Sequence, residues 1–280
     1  MSYADTLPPQ RQFGQTTRPD AWWLQPLVVF LGFSAFIVYS TWAAFQGVAD
    51  IHNNTHSYWF DGNGADYLSP FYSPEIWGTT GHAILGKALP SWWPRWAPFS
   101  PAFLILWIPA GFRFTCYYYR GAYYKAFWAD PINCAVGEPR KMFLGERYFP
   151  LIFQNIHRYF FYLAFLFIIL LSYDAWLAMW FKVNGVSHFG FGVGTVVMIL
   201  NAVFLSMYTL GCHSLRHLIG GFLDSKTKSP TCARGYNCVS CLNQRHMMWA
   251  WISLIWVGFT DVYIRLCTSG AIHDIILFRF

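Results

Sequence analysis

Charge is scarce in this chain: 19 Lys and Arg with 13 Asp and Glu make up only 11% of 280 residues. An ordinary soluble surface, where roughly a quarter of residues are charged, is excluded on that count alone. No repeat of solenoid period and no inverted pair of Gly-broken apolar segments occurs, which argues against a secondary transporter. No basic stripe accompanies a nucleic-acid-binding motif, so the net charge of +6 does not point to nucleic acid. Residues 1–21 carry Pro8, Pro9, Arg11 and Arg18 but no apolar core and no small-residue cleavage site. A cleaved signal peptide is therefore not expected, and the first apolar run is read as a true span.

What the chain does have is apolar sequence, 55% of the whole, in runs of 18 residues or more. Measured against a span of roughly 20 residues, these runs predict an all-α membrane protein with five transmembrane helices. They lie near Leu24 to Phe45, Phe99 to Tyr119, Tyr148 to Trp180, Phe191 to Leu218 and Met247 to Cys267. Lys and Arg concentrate in alternate loops, around 113–158 and 216–245, which places those loops and the N-terminus in the cytoplasm. The division expected is a cytoplasmic segment 1–23, an anchor domain 24–267 and an outer tail 268–280. The outer loop 50–98, rich in Gly, Pro and aromatics, is read as a cap with its rings at the membrane interface. The inner loops 120–147 and 219–245 are cationic and long enough to dock a soluble partner or to face anionic lipid.

Seven cysteines, an odd number, sit mostly on the reducing side, where thiolates serve metals more often than disulfides. Cys267, towards the outer face, is read as a lone packed thiol. Cys116, His157, Cys212, His213, His217 and His246 all fall near the inner ends of the predicted helices. A single histidine there is explained by an interfacial hydrogen bond, but ionisable groups from three helices at one depth point to function. His213 and His217 are four apart and share a helix face.

Two metal centres fit. His157 with His217 or His213 would hold a b-type haem, or two thiolates and two imidazoles would hold a Rieske-type [2Fe-2S] cluster. Haem leaves Cys116, Cys134 and Cys212 unused, so the cluster is preferred, with Cys116, Cys134, His157, Cys212, His213 and His217 as its candidate ligands. The spacing found in soluble Rieske proteins is absent. Cys232, Cys238, Cys241 and His246 form a weaker zinc set, its first gap irregular for a ribbon. Tyr119, Arg120, Tyr123, Gln154, Arg158 and His246 cluster at the inner boundary and offer donors to a quinone, although Tyr is also ordinary at interfaces. Asp261 and Arg265 are placed for an intrahelical pair, and Asp174 for Lys182 or the outer interface. A proton path through Asp174 and Asp261 has no support in their spacing.

Phe112-Arg113-Phe114-Thr115-Cys116-Tyr117-Tyr118-Tyr119-Arg120, Ala129-Asp130-Pro131, Cys134-Ala135-Val136-Gly137-Glu138-Pro139, Asn155-Ile156-His157-Arg158-Tyr159, Cys212-His213-Ser214-Leu215-Arg216-His217 and Trp249-Ala250-Trp251-Ile252-Ser253-Leu254 together resemble the membrane-anchor subunit of actinobacterial-type succinate dehydrogenase. The resemblance runs from about the first helix to Cys267. It implies a multi-pass anchor in the cell membrane that works with a flavoprotein subunit and an iron-sulfur subunit and passes electrons to quinone, menaquinone in an actinobacterium. Family anchors hold two haems, one or none. Here His52, His56, His82, His188 and His273 fall in loops or the tail, which speaks against a haem ladder and leaves one inner centre. The competing class is a stand-alone polytopic transporter with structural histidines.

Overall fold

A computed structural model describes residues 12–86, 90–129, 131–139, 148–149, 151–221 and 229–280. They fall into two compact units, Met1–Ile37 with Phe114–Asn155 and Val38–Arg113 with Ile156–Phe280. Four helical stretches are long and apolar enough to cross a membrane: α1 (Leu24–Asn53), Ile152–Leu177, which contains α5 (His157–Leu177), α6 (Val193–Leu210) and α9 (His246–Thr268). Each is rich in helix-compatible apolar residues, and Pro26 of α1 sits in the first turn, where its missing N–H costs nothing. Of α1 only Ala43, Ala44, Gly47 and Asp50 are buried, so most of its apolar surface is left for lipid or neighbouring chains.

The span expected at Phe99 to Tyr119 is not one helix. It is divided into α2 (Pro101–Ile105), α3 (Trp107–Phe114) and α4 (Tyr117–Trp128). Pro109 has no N–H to offer the Ile105 carbonyl, which weakens the ladder where α2 gives way to α3. Cys116 then takes an extended conformation (φ −69°, ψ 130°) that stops α3 and starts α4. From Pro101 to Phe114 the rise is about 21 Å at 1.5 Å per residue, short of the roughly 30 Å hydrocarbon core. The fourth expected span is interrupted in the same way. Gly211 and an extended Cys212 separate α6 from α7 (His213–Gly220), and the Cys212 thiol caps α7 by accepting the Ser214 N–H.

In the first unit, described residues 12–23 lie along the turn after α4. Gly14 donates to the Gly137 carbonyl, Gly137 to that of Gln15, and Arg18 to Asn133 and the Cys134 carbonyl. Arg18 also pairs with Asp20. Helix α4 packs on the first turns of α1, Phe127 against Phe30 and Tyr119 against Phe33. The inner loop expected at 219–245 is largely helix α8 (Pro230–Gln244), opened by Ser229 and Pro230. Arg140, Lys141, Arg147, Lys226 and Lys228 lie outside the described residues.

In the second unit α6 packs on α5 and α9, and α7 on α8. One end is closed by a cap of two small sheets. Strands β1 (Trp59–Phe60) and β2 (Tyr67–Leu68) pair antiparallel, and β3 (Trp180–Val183), β4 (Val186–Gly192) and β5 (Ile276–Arg279) form a second sheet in that order. Asn184 and Gly185 turn the β3–β4 hairpin with φ of 52° and 80°, the left-handed pair that a two-residue hairpin needs. Tyr67, Phe181, Met198 and Ile264 fill the core beneath.

The cap is held by buried carboxylates, each given the donors that burial demands. Asp274 accepts from the Tyr67 and Tyr263 hydroxyls and the Gly194 N–H at 2.7 to 2.8 Å. Glu75 accepts from Tyr58 (2.7 Å), the Thr79 N–H (3.1 Å) and Thr80. Asp261 accepts from Tyr39 at 2.5 Å, Arg265 at 2.8 Å and Ser69, so the intrahelical pair with Arg265 forms as its spacing suggested. Asp174 accepts from Ser73 instead of meeting Lys182, because the cap folds over the end of α5. Of the cap rings expected at the interface, Trp92 and Trp96 are exposed, whereas Tyr58 is fully buried and Trp59, Phe60 and Trp77 are half-buried.

Within the cap, His82 Nε2 lies 2.6 Å from Asp66, which also accepts the Trp59 indole N–H at 2.8 Å. Burial alone would raise the Asp66 carboxyl, but His82 holds it below its ordinary value; burial would lower His82, and Asp66 more than reverses that. The pair's contribution, about 1–3 kcal/mol, is whole between about pH 4 and pH 6.5, the values of the unfolded groups. It declines as pH rises through the raised value of His82 and as pH falls through the depressed value of Asp66. The stability gap between the native protein and an Asp66→Asn/His82→Gln variant should therefore be larger at about pH 5.5 than at about pH 9. Melting curves with the same gap at both pH values would contradict this.

Candidate functional site

The second unit gathers a polar cluster where α5, α6, α7 and α9 meet. His157 opens α5 and Cys212 precedes α7, and their Nε2 and Sγ atoms are 3.1 Å apart. The His157 ring is stacked on Phe112 with centroids 4.7 Å apart and planes within 7°. Phe112 meets Tyr208 edge-on, and Tyr208 in turn lies against His246, the first residue of α9 and 1% exposed. Arg113 closes the group. Its guanidinium lies 4.7 Å from the Tyr208 ring centroid and donates to the Ala250 carbonyl and Ser253 hydroxyl at 3.1 and 3.0 Å. The break at Gly211 that aims Cys212 at His157 is pinned by the Asn243 amide, which donates to the Gly211 carbonyl at 2.8 Å.

His213 and His217 share the face that their spacing implied, with Nε2 atoms 2.9 Å apart and rings nearly perpendicular. They line an open cleft of about 300 Å³ with Arg216 and Tyr236, whose hydroxyl accepts from Arg216 at 2.9 and 2.6 Å. Burial, then the neighbouring His217 and Arg216, hold the His213 imidazole below its ordinary value. It is thus neutral near pH 7 and able to donate and accept at once.

The remaining candidates, Arg158 apart, belong to the first unit. Cys116 is buried at the start of α4, and Cys134 is exposed in the following turn. Tyr119 is buried. Tyr123 is stacked on Phe114, its phenol raised by burial and partly relieved by Arg120. Arg120 donates to Gln154 Oε1 at 2.8 Å, and the Gln154 amide nitrogen is buried with no hydrogen-bond partner among the described residues. Arg158, in the second unit, is exposed on α5.

The six expected metal ligands resolve into a His157–Cys212 contact, a His213–His217 contact, and two thiols of the first unit. Among the described residues no three His, Cys, Asp or Glu side chains are gathered as a metal-binding group. The zinc set is dispersed for a plain reason. Cys232, Cys238 and Cys241 ride on helix α8 with the last two exposed, while His246 is buried against Tyr208. Sequence reasoning counted Arg113 for topology only; an arginine inside an apolar run was the available sign that it has a polar site to serve.

No curated protein matches the chain. The solved structure of the Mycobacterium smegmatis Sdh1 complex in the apo form contains a chain 42% identical to this one, with 97% of each covered and a TM-score of 0.81. The family model for the actinobacterial succinate dehydrogenase subunit SdhC matches residues 24–270, a range that takes in all four apolar helices, the cap strands β1 to β4 and the His157–Cys212 contact. On that match the chain belongs to the actinobacterial succinate dehydrogenase subunit SdhC family.

Proposed function

We propose that this membrane-anchor subunit receives electrons from the iron-sulfur subunit of succinate dehydrogenase, whose flavoprotein subunit oxidises succinate, and delivers them to menaquinone at the cytoplasmic boundary. The observation that carries the quinone reading is the Gln154 amide nitrogen, a buried donor without a partner among the described residues. Such a donor is costly unless a ligand completes it, and a quinone carbonyl is an acceptor of the right kind. Arg120 fixes the amide by binding its oxygen, and Tyr119 and Tyr123 supply flat apolar walls with polar tips. The His157–Cys212 contact is the proposed place of a Cys/His redox centre. It brings together one imidazole and one thiol, the two ligand types of a Rieske-type cluster, though only half the number such a cluster takes. When bound, a [2Fe-2S] cluster supplies one-electron transfer. The protein's own part is to hold His157 flat against Phe112 and Cys212 at a helix break. The thiol beside His157 favours this reading over a bis-histidine haem.

An optical and low-temperature EPR spectrum of the intact complex, with iron counted against flavin, tests the centre. A Rieske-type signal, with iron in excess of what the soluble subunits hold, is expected. Sharp b-type bands on reduction would replace the cluster with haem, and the absence of both would return His157 and Cys212 to structural roles.

A further inference from the structure

At the cap end of the second unit, between the last turns of α1 and α9, lies a cavity of about 660 Å³. That is the size of a small-molecule site. Its walls are apolar where Trp42 and Leu266 stand and polar where Asp50 and Ser57 stand. The polar wall is one connected chain. Asp261 accepts from Arg265 Nε, Arg265 Nη1 donates to the Ser57 hydroxyl at 2.8 Å, and Ser57 donates to Asp50 at 2.8 Å. The chain holds two carboxylates and one guanidinium. Arg265 is spent on Asp261 at one end, whereas Asp50 at the other is buried among neutral donors, the Thr55 hydroxyl at 2.9 Å and the Ser57 N–H and hydroxyl at 3.0 and 2.8 Å, which leave its negative charge uncompensated at the cavity wall.

We propose that this cavity seats the headgroup of an ammonium-bearing zwitterionic phospholipid, of the phosphatidylethanolamine type, from the leaflet on the cap side. The ammonium lies towards Asp50, and the acyl chains leave past Trp42 and Leu266, both substantially exposed on the helix surfaces. Charge selects the class. An anionic headgroup would meet an excess of carboxylate, whereas an ammonium neutralises it. Exposed Trp42 adds an amphipathic ring at the depth where headgroup and chain join. The inference does not depend on the redox or quinone reading, since it concerns the cap end and a bound lipid.

The test is the lipid content of the intact succinate dehydrogenase complex, exchanged into nanodiscs of equal phosphatidylethanolamine and phosphatidylglycerol, re-extracted in mild detergent and read by native mass spectrometry. The native complex should retain phosphatidylethanolamine on this subunit. Asp50→Asn, which removes the charge, and Leu266→Trp, which fills the space without touching the hydrogen-bonded chain, should each lower its occupancy about tenfold while leaving succinate oxidation unchanged. Equal retention of phosphatidylethanolamine in all three complexes, or preferential retention of phosphatidylglycerol by the native one, would overturn the proposal. If Asp50→Asn disturbs the cap, Leu266→Trp decides it alone.

Discussion

Replacing both His157 and His217 by Ala should leave succinate oxidation by a soluble dye intact and depress quinone reduction by about 100-fold or more, the scale on which metal-site partners act. His157 touches the Cys212 thiol within hydrogen-bond reach, and its ring is fixed by Phe112. Loss of its side chain removes the contact and uncovers Cys212. His217→Ala alone breaks only the pair with His213 on the cleft side of α7, so it should have the smaller effect. Dye-linked turnover retained in the membrane fraction reports that the soluble subunits are still docked on the anchor, which separates a broken electron route from a broken fold. Quinone reduction within about twofold of native in the double variant, far from the expected scale, would remove both residues from the route.

Asp261→Ala should be the most damaging change to stability. Asp261 is fully buried and accepts from Tyr39, Ser69 and Arg265 together. Removing one partner of a buried ion pair costs about 3–5 kcal/mol, because the other charge is left behind. In this protein that other charge is Arg265, packed near Trp42 and Tyr72. The thermal midpoint of the solubilised complex should fall by on the order of 10 °C. Asp261→Asn keeps acceptor capacity and should fall between. A midpoint for Asp261→Ala within about 1 °C of native would mean that the cap does not depend on this residue.

The spans α1, α5, α6 and α9 were legible because hydropathy needs nothing beyond neighbours in sequence. The second span was not. Its residues are apolar enough, but Pro109 and the extended Cys116 divide the run, and a sliding average over 20 residues does not register a missing N–H. The β3–β4 hairpin was available from Asn184-Gly185, the strongest short hairpin signal, in the stretch between the third and fourth expected spans. Helix α8 was likewise announced by Ser229-Pro230. At the candidate site, the i to i+4 meeting of His213 and His217 followed from helix geometry alone. The His157–Cys212 contact could be expected in depth but not in distance, since it rests on a break at Gly211 held by Asn243 from a separate helix. Cap partners such as Ser73 for Asp174 are tertiary and leave no local mark.

The cap has one more consequence, for the order in which the protein is made. Ser69 meets Asp261 across 192 residues of sequence, and Tyr67 meets Asp274 across 207. The segment bearing Ser69 and Tyr67 emerges early from the ribosome, while the carboxylates that complete it arrive with the last helix. Until then it has only its own contacts, β1 on β2 and the donors around Glu75, so cap closure is a late checkpoint that reports the arrival of α9. Early chain termination should leave this segment open to proteases, which gives the cell a way to recognise an unfinished anchor.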